Sequence, residues 1–207
     1  MTGFFLLRKT ALQKIVGETE TDGADNIAII ARMKKQPLSN VKVIGFAAFS
    51  GTGKTTLLKQ LIPLLTRSGI RLAIVKHSHH DFEIDKPGKD SYELHHAGSS
   101  QTLITSKYRS ALISENPTQS EPVLAHELQK LDLRTIDLVL VEGFRHEQTL
   151  QRIELHRPSL NKPFLFPGDD HIIALASDQA LELPIPLLDL NNPAQLAEFI
   201  QQWMQHN

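Results

Sequence analysis

Nine consecutive residues, Ala48-Phe49-Ser50-Gly51-Thr52-Gly53-Lys54-Thr55-Thr56, combine small side chains, one lysine and paired hydroxyls. An apolar run over 41–47 precedes them, and a leucine-rich helical pattern follows. Strand, glycine loop and helix in that order are what a phosphate-binding P-loop requires. Backbone N–H groups turn inward around a phosphate, and the helix N-terminus adds a favourable dipole. Ser50, Gly51, Thr52, Gly53, Lys54, Thr55 and Thr56 are therefore candidate nucleotide-binding residues. Lys54 supplies charge to the β- and γ-phosphates and is a candidate catalytic residue. Thr55 can place its hydroxyl on Mg²⁺. The usual first glycine is Ala48 here, so entry to the loop must not require positive φ.

A second element, Asp137-Leu-Val-Leu-Val-Glu142-Gly143, has the form of a Walker B strand. An apolar strand ends in a carboxylate that can reach Mg²⁺, and Gly143 lets the chain turn close to the phosphates. Ligands gather at the carboxyl ends of strands in such sheets, which favours Glu142 over Asp137 as the metal residue.

The stretch 81–91 holds Asp81, Asp85 and Asp90, a Pro-Gly turn and a Gly-Lys-Asp-Ser91 entry to a helix. Asp81, Asp85 and Asp90 are candidates to hold Mg²⁺ or orient a water, and the alternative is a solvated loop with Asp90 as a helix cap. Lys76 and His77 read as groups on the substrate or phosphate side. A metal site built from His77, His79, His80, His95 and His96 is the weaker reading, because no cysteine supports it. Asp178 ends a later apolar run. A carboxylate there can accept from guanine N1–H and the 2-amino group, which adenine cannot offer; a plain turn aspartate is the alternative.

These residues need a scaffold. The pattern predicts strands over 41–48, 71–77, 137–142, 153–156 and 171–176, with shorter ones over 102–105 and 110–114. Helices are expected over 55–68, 91–97 and 122–131, and a last one begins at Asn192-Pro193, an N-cap and N1 pair. Alternation of strands and helices implies an α/β fold, a mostly parallel sheet covered on both faces, with extra short antiparallel strands. Residues 1–39 read as a poorly ordered extension and linker, with one or two helical turns over 27–33, and 40–207 as the nucleotide-binding domain. Met33 reads as an alternative natural start.

The 207 residues suffice for one such domain, and 41% hydrophobic with 22% charged is ordinary for a globular chain. A formal net charge of −1 gives no footing for a nucleic-acid-coating or membrane-surface protein. The absence of cysteine excludes disulfides, thiolate catalysis and Cys-based zinc sites. With no secretory pattern at the start and no apolar run of transmembrane length, a cytoplasmic protein is expected.

Five blocks together resemble a known family. They are Phe46-Ala-Ala-Phe-Ser-Gly-Thr-Gly-Lys-Thr-Thr-Leu-Leu58, Val75-Lys-His-Ser-His-His-Asp81, Asp85-Lys-Pro-Gly-Lys-Asp-Ser-Tyr-Glu-Leu94, Leu138-Val-Leu-Val-Glu-Gly-Phe144 and Ala174-Leu-Ala-Ser-Asp178. In order and content they are similar to those of the molybdopterin-guanine dinucleotide biosynthesis adaptor proteins, the MobB family. The resemblance spans about 41–206, and the Lys-Pro-Gly-Lys-Asp-Ser block is more specific to it than the P-loop. It implies a homodimeric GTP-binding protein with Mg²⁺ and weak GTPase activity. Such a protein assists the MobA-type guanylyltransferase that joins GMP to molybdopterin in its molybdenum form. Thr55 and Glu142 would serve Mg²⁺, Asp85, Asp90 and Ser91 would lie near the γ-phosphate, and Asp178 near the guanine. The short strands between 100 and 115 and between 150 and 167 are expected to supply the dimer contact. A nucleotide-driven metal-insertion chaperone and a small-molecule P-loop kinase are the alternatives.

Overall fold

Six parallel strands form the sheet that carries the phosphate loop. The computed structural model describes residues 41–78, 82–116 and 120–207. The extension over 1–39 and residues His79, His80 and Asp81 lie outside them. Strands β1 (Lys42–Ala48), β2 (Leu72–Lys76), β5 (Leu138–Glu142), β6 (Arg152–His156), β7 (Ile172–Ser177) and β8 (Leu187–Asp189) lie in the order β2-β5-β1-β6-β7-β8. β1 is central and pairs in parallel with β5 on one side and β6 on the other. That places a crevice at its carboxyl end, where open α/β sheets bind ligands. A separate antiparallel hairpin joins β3 (Gln101–Thr105) to β4 (Ser110–Ser114).

Helices α1 (Lys54–Arg67) and α4 (Pro193–His206) cover one face. Leu57, Leu58, Leu61 and Leu65 of α1 and Leu196 and Ile200 of α4 pack on Ile44, Phe46, Leu138, Leu140, Ile153 and Leu155. The 3.6-residue spacing of these leucines is what makes the stripe. Gly69, at φ 85°, ends α1: its N–H donates to Thr66 O and that of Ile70 to Leu65 O, a Schellman closure. At α4, the Asn192 side chain accepts from the Gln195 N–H and Pro193 opens the helix, as the sequence predicts.

The opposite face is split. On β5 and its neighbours, α3 (Leu124–Leu128) sets Leu124 and Leu128 against Val139 and Val141. Among the described residues no helix covers β6 on this face. Its side chains on that face are Arg152, Glu154 and His156, all buried. The segment after the strand crosses them as a strap. Glu154 accepts from the Leu165 and Phe166 N–H groups, both at 2.9 Å. Arg152 pairs with Asp169 at 3.1 Å, and the His156 ring stands 4.3 Å from that of Phe164. Burial pushes the Glu154 carboxyl above the usual carboxylate range, against the pull of the two amides.

Three expectations are corrected. The strand within 150–167 is a fully buried inner strand, parallel to its neighbours, so its residues offer no dimer contact. The helix expected over 122–131 shrinks to Leu124–Leu128, because Val123 is extended and Pro122 stands outside. Strand β8 was not expected; it is three residues long and follows a Pro-Ile-Pro sequence.

At the far end of the sheet, Asp137 ties the start of β5 to the start of β2. It accepts from the Arg71 backbone N–H and guanidinium at 2.5–2.9 Å. These bonds hold its carboxyl down from 3.8 to about 2. A depressed carboxylate stabilises the fold above its unfolded pKa, and that contribution is lost as pH falls through the folded value. The pair is well solvated, so solvent screening limits it to about 1 kcal/mol. Asp137→Asn should therefore lower the unfolding free energy by about that amount at pH 7 and by clearly less near pH 2, where the folded carboxyl is half protonated, read by urea unfolding at the two pH values.

Candidate functional site

The loop between β1 and α1 is built by two residues that only glycine fills easily. Gly51 has φ 83° and Gly53 φ 96°, and Gly53 is the residue preceding α1. No side chain caps this helix, and its first turn carries no acidic residue. The first N–H groups and the positive end of the helix dipole thus face the crevice. Thr52 is buried and its hydroxyl donates to Phe49 O at 2.7 Å, which pins the loop from within. Ser50, Thr55 and Thr56 are exposed, with Thr55 and Thr56 in the first turn of α1.

Three of the sequence-predicted residues meet at one carboxylate. Glu142 Oε1 lies 3.4 Å from Lys54 Nζ and 3.5 Å from Lys76 Nζ. The Glu142 backbone carbonyl accepts from the His77 N–H at 2.8 Å. Gly143 follows with φ 93°, and a Cβ added there would lie 2.7 Å from the Cβ of His77. So the chain turns at Gly143 because His77 is packed against it, with the Phe144 ring 5.1 Å from the imidazole. Asp137 stands at the other end of β5, paired with Arg71.

Asp85, Asp90 and Ser91 form a separate group. The Ser91 hydroxyl and the Lys86 N–H both donate to Asp85, which holds its carboxyl below the ordinary range. Asp90 is the first residue of α2 (Asp90–His96) and not its cap; the preceding Lys89 is extended and makes no side-chain cap. Instead the Gly88 N–H donates to Glu93 at 3.2 Å. The histidine reading changes as well. β2 ends at Lys76, so His77 lies beyond the strand. His95 is buried between Thr102 at 2.9 Å and Glu115 at 2.8 Å, joining α2 to the hairpin. Among the described residues no group of three or more His, Asp or Glu could hold a metal ion.

Asp178 is linked to the phosphate loop through a residue to which the sequence assigns no role. Arg157 donates from Nη1 to Asp178 Oδ2 at 2.6 Å and from Nε to Thr52 O at 2.9 Å. It thereby fixes the distance between the loop and the Asp178 carboxylate. Oδ1 of Asp178 is buried and has no hydrogen-bond partner among the described residues. A buried acceptor without a donor is costly, and a ligand N–H would satisfy it. Arg145 likewise reaches the crevice, donating to Ala48 O at 3.4 Å.

The family model of molybdopterin guanine dinucleotide synthesis protein B, MobB, matches residues 43–178. The molybdopterin-guanine dinucleotide biosynthesis adapter protein of Escherichia coli (strain K12) is 47% identical over 165 residues, 80% of this chain and 94% of that one. Its counterpart in Haemophilus influenzae is 42% identical over 169 residues, 81% and 92% of the two chains. A crystal structure of a molybdopterin-guanine biosynthesis protein B superposes with a TM-score of 0.63 at 24% identity, covering 79% of this chain and 99% of that one. A MobB homologue from Bacillus stearothermophilus gives 0.59 at 20% identity, over 80% and 99%. Both solved structures share the fold. The match of the family model from β1 to Asp178, together with the relatives that align along almost their whole length, places this chain in the MobB family.

Proposed function

We propose that the chain is a guanine-nucleotide-binding adaptor in molybdopterin guanine dinucleotide biosynthesis, a slow GTPase that works beside a MobA-type guanylyltransferase. The observation that carries the reading is the meeting of Lys54, Lys76 and Glu142 beside an uncapped helix N-terminus. A carboxylate between two ammonium groups is a pre-set exchange point. Mg²⁺ taken by Glu142 and the Thr55 hydroxyl would release both lysines to phosphate oxygens. The N–H groups of the loop accept the remaining phosphate charge, and water fills the other metal positions. Asp178, held by Arg157, offers Oδ1 to a donor on the base. Guanine has that donor pair and adenine does not, so an adenine would leave the acceptor unmatched.

One further part of the proposal rests on surface. The β3–β4 hairpin exposes Leu103 and Leu112 directly opposite each other, next to Leu94 and Tyr108, also exposed. A second copy covering this hairpin is the homodimer contact we favour. Among the described residues no helix is long and apolar enough to cross a membrane. The metal-chaperone alternative finds no ligand cluster among the described residues.

Calorimetric titration with Mg²⁺·GTP and Mg²⁺·ATP tests the reading. GTP is expected to bind at least 10-fold more tightly, because a mismatch against a buried polar group costs more than about 1.4 kcal/mol. Equal affinity, or preference for ATP, removes the guanine assignment at Asp178. No binding of either removes the nucleotide reading altogether.

A further inference from the structure

Three adjacent strands end around one guanidinium. Arg157 directly follows β6, Asp178 directly follows β7, and Thr52 belongs to the loop that leaves β1. His156 stands opposite Ser177 in the parallel register, so Arg157 and Asp178 come next as neighbours beyond the strand ends. Pro158 holds the residue before it extended, and Arg157 has φ −122° and ψ 111°.

The guanidinium is fixed from three sides. Nε donates to Thr52 O at 2.9 Å and Nη1 to Asp178 Oδ2 at 2.6 Å. Nη2 and Nε stand 3.6 and 3.8 Å from the point where a Cβ on Gly53 would lie, so the group also rests against the glycine that precedes α1. A planar fork with donors on different nitrogens can hold two partners at once, which the point charge of a lysine cannot. Stability does not account for this arrangement. The two side chains are 30% and 20% exposed, and a solvated ion pair contributes little to the fold. Nor does the loop depend on it, because Thr52 is buried and its own hydroxyl pins it to Phe49 O. What the guanidinium adds is a fixed relation between the loop and the carboxylate.

We infer that Arg157 is a positioning residue for base selection: it ties the Asp178 carboxylate to the phosphate loop, and without it the preference for guanine is lost while phosphate binding stays. The inference rests on the guanine reading of Asp178 and goes beyond it, making selectivity a property of the tie and not of the carboxylate alone. A recognition group discriminates only when its own orientation is locked by its supports. A carboxylate free to rotate meets guanine less well, and it can turn away from adenine, so the mismatch no longer counts against the wrong base.

Calorimetric titrations of the full chain with Mg²⁺·GTP, Mg²⁺·ATP and tripolyphosphate separate base from phosphate. In Arg157→Ala, GTP affinity is expected to fall about 10-fold or more, with ATP and tripolyphosphate within about threefold of wild type, so that the two nucleotides bind nearly alike. Arg157→Lys keeps the charge and should keep the phosphate affinity, yet still lose most of the preference. In an Asp178→Asn background, Arg157→Ala should change GTP affinity by less than about threefold, the non-additivity expected when one residue acts through the other. Equal weakening of all three ligands would make Arg157 a phosphate-side cation and overturn the inference. So would a wild-type preference in Arg157→Ala, full recovery in Arg157→Lys, or additive losses in the double variant. Wild-type protein that prefers neither nucleotide removes the guanine reading and the inference with it. A wild-type preference for GTP that the variants retain removes the inference alone.

Discussion

Lys54→Ala is expected to weaken Mg²⁺·GTP binding roughly 10- to 150-fold, which is the loss of a charge-assisted phosphate contact worth about 1.5–3 kcal/mol. The substitution falls on the first residue of α1, where alanine is a good helix former, so the helix itself should persist. Glu142 is not left alone, because Lys76 remains 3.5 Å away. The lysine's contact with Glu142 is partly solvated, with side chains 20% and 15% exposed, so its removal should shift the melting temperature little. Affinity and stability therefore separate in this variant. Isothermal titration and a thermal melt on the same preparation measure both. Unchanged GTP affinity would remove Lys54 from the phosphate site, and a collapse of the melt would recast it as a structural lysine.

Gly143→Ala should have the opposite profile, a large loss of stability. The position has φ 93°, where an L side chain is strained by about 1–2 kcal/mol. The added Cβ would also stand 2.7 Å from the Cβ of His77, which is not the far end of a flexible chain. His77 is held by its N–H bond to Glu142 O and by the Phe144 ring, so it cannot simply step aside. Overpacking of that kind adds about 1–3 kcal/mol. The sum, about 2–5 kcal/mol, corresponds to a fall of roughly 5–15 °C in melting temperature for a domain of this size. Relief of the clash requires movement of Glu142, so GTP affinity should fall too. A melt within 2 °C of wild type, an allowance of about 1 kcal/mol, would show that the turn is freer than its geometry implies.

What could be read from residues alone follows a physical division. The P-loop, Walker B strand and terminal helix were legible because each is specified locally: small residues before a lysine, an apolar run ending in a carboxylate, an Asn-Pro cap. Arg157 was not legible. Its partners, Thr52 and Asp178, are distant in sequence, and an arginine after a short strand carries no local mark of its role. β6 was readable as a strand but not as an inner one. Its alternation of Arg152, Glu154 and His156 with Ile153 and Leu155 normally marks a face open to water. Here the polar set is buried because the strap supplies an ion pair, two amide donors and a ring. The Asp85–Ser91 pair shows the converse. Its composition suggests chemistry, and its hydrogen bonds are local to the turn.

The position of β1 in the sheet has a consequence for how the protein comes to exist. Lys42 is in register with Leu138, and Gly45 with Arg152, so both neighbours of this early strand lie in the later half of the chain. Closing such long loops costs entropy before any contact rewards it, and parallel pairing of this kind forms slowly. During synthesis the phosphate loop is therefore made early and shaped late. Until β5 has left the ribosome, the residues that would hold a phosphate have no strand on either side to fix them, and the second side closes only with β6. On the proposed function, a nucleotide would not act as a template for the first half of the chain; it would stabilise the sheet only once that sheet is complete, through its preference for the folded state.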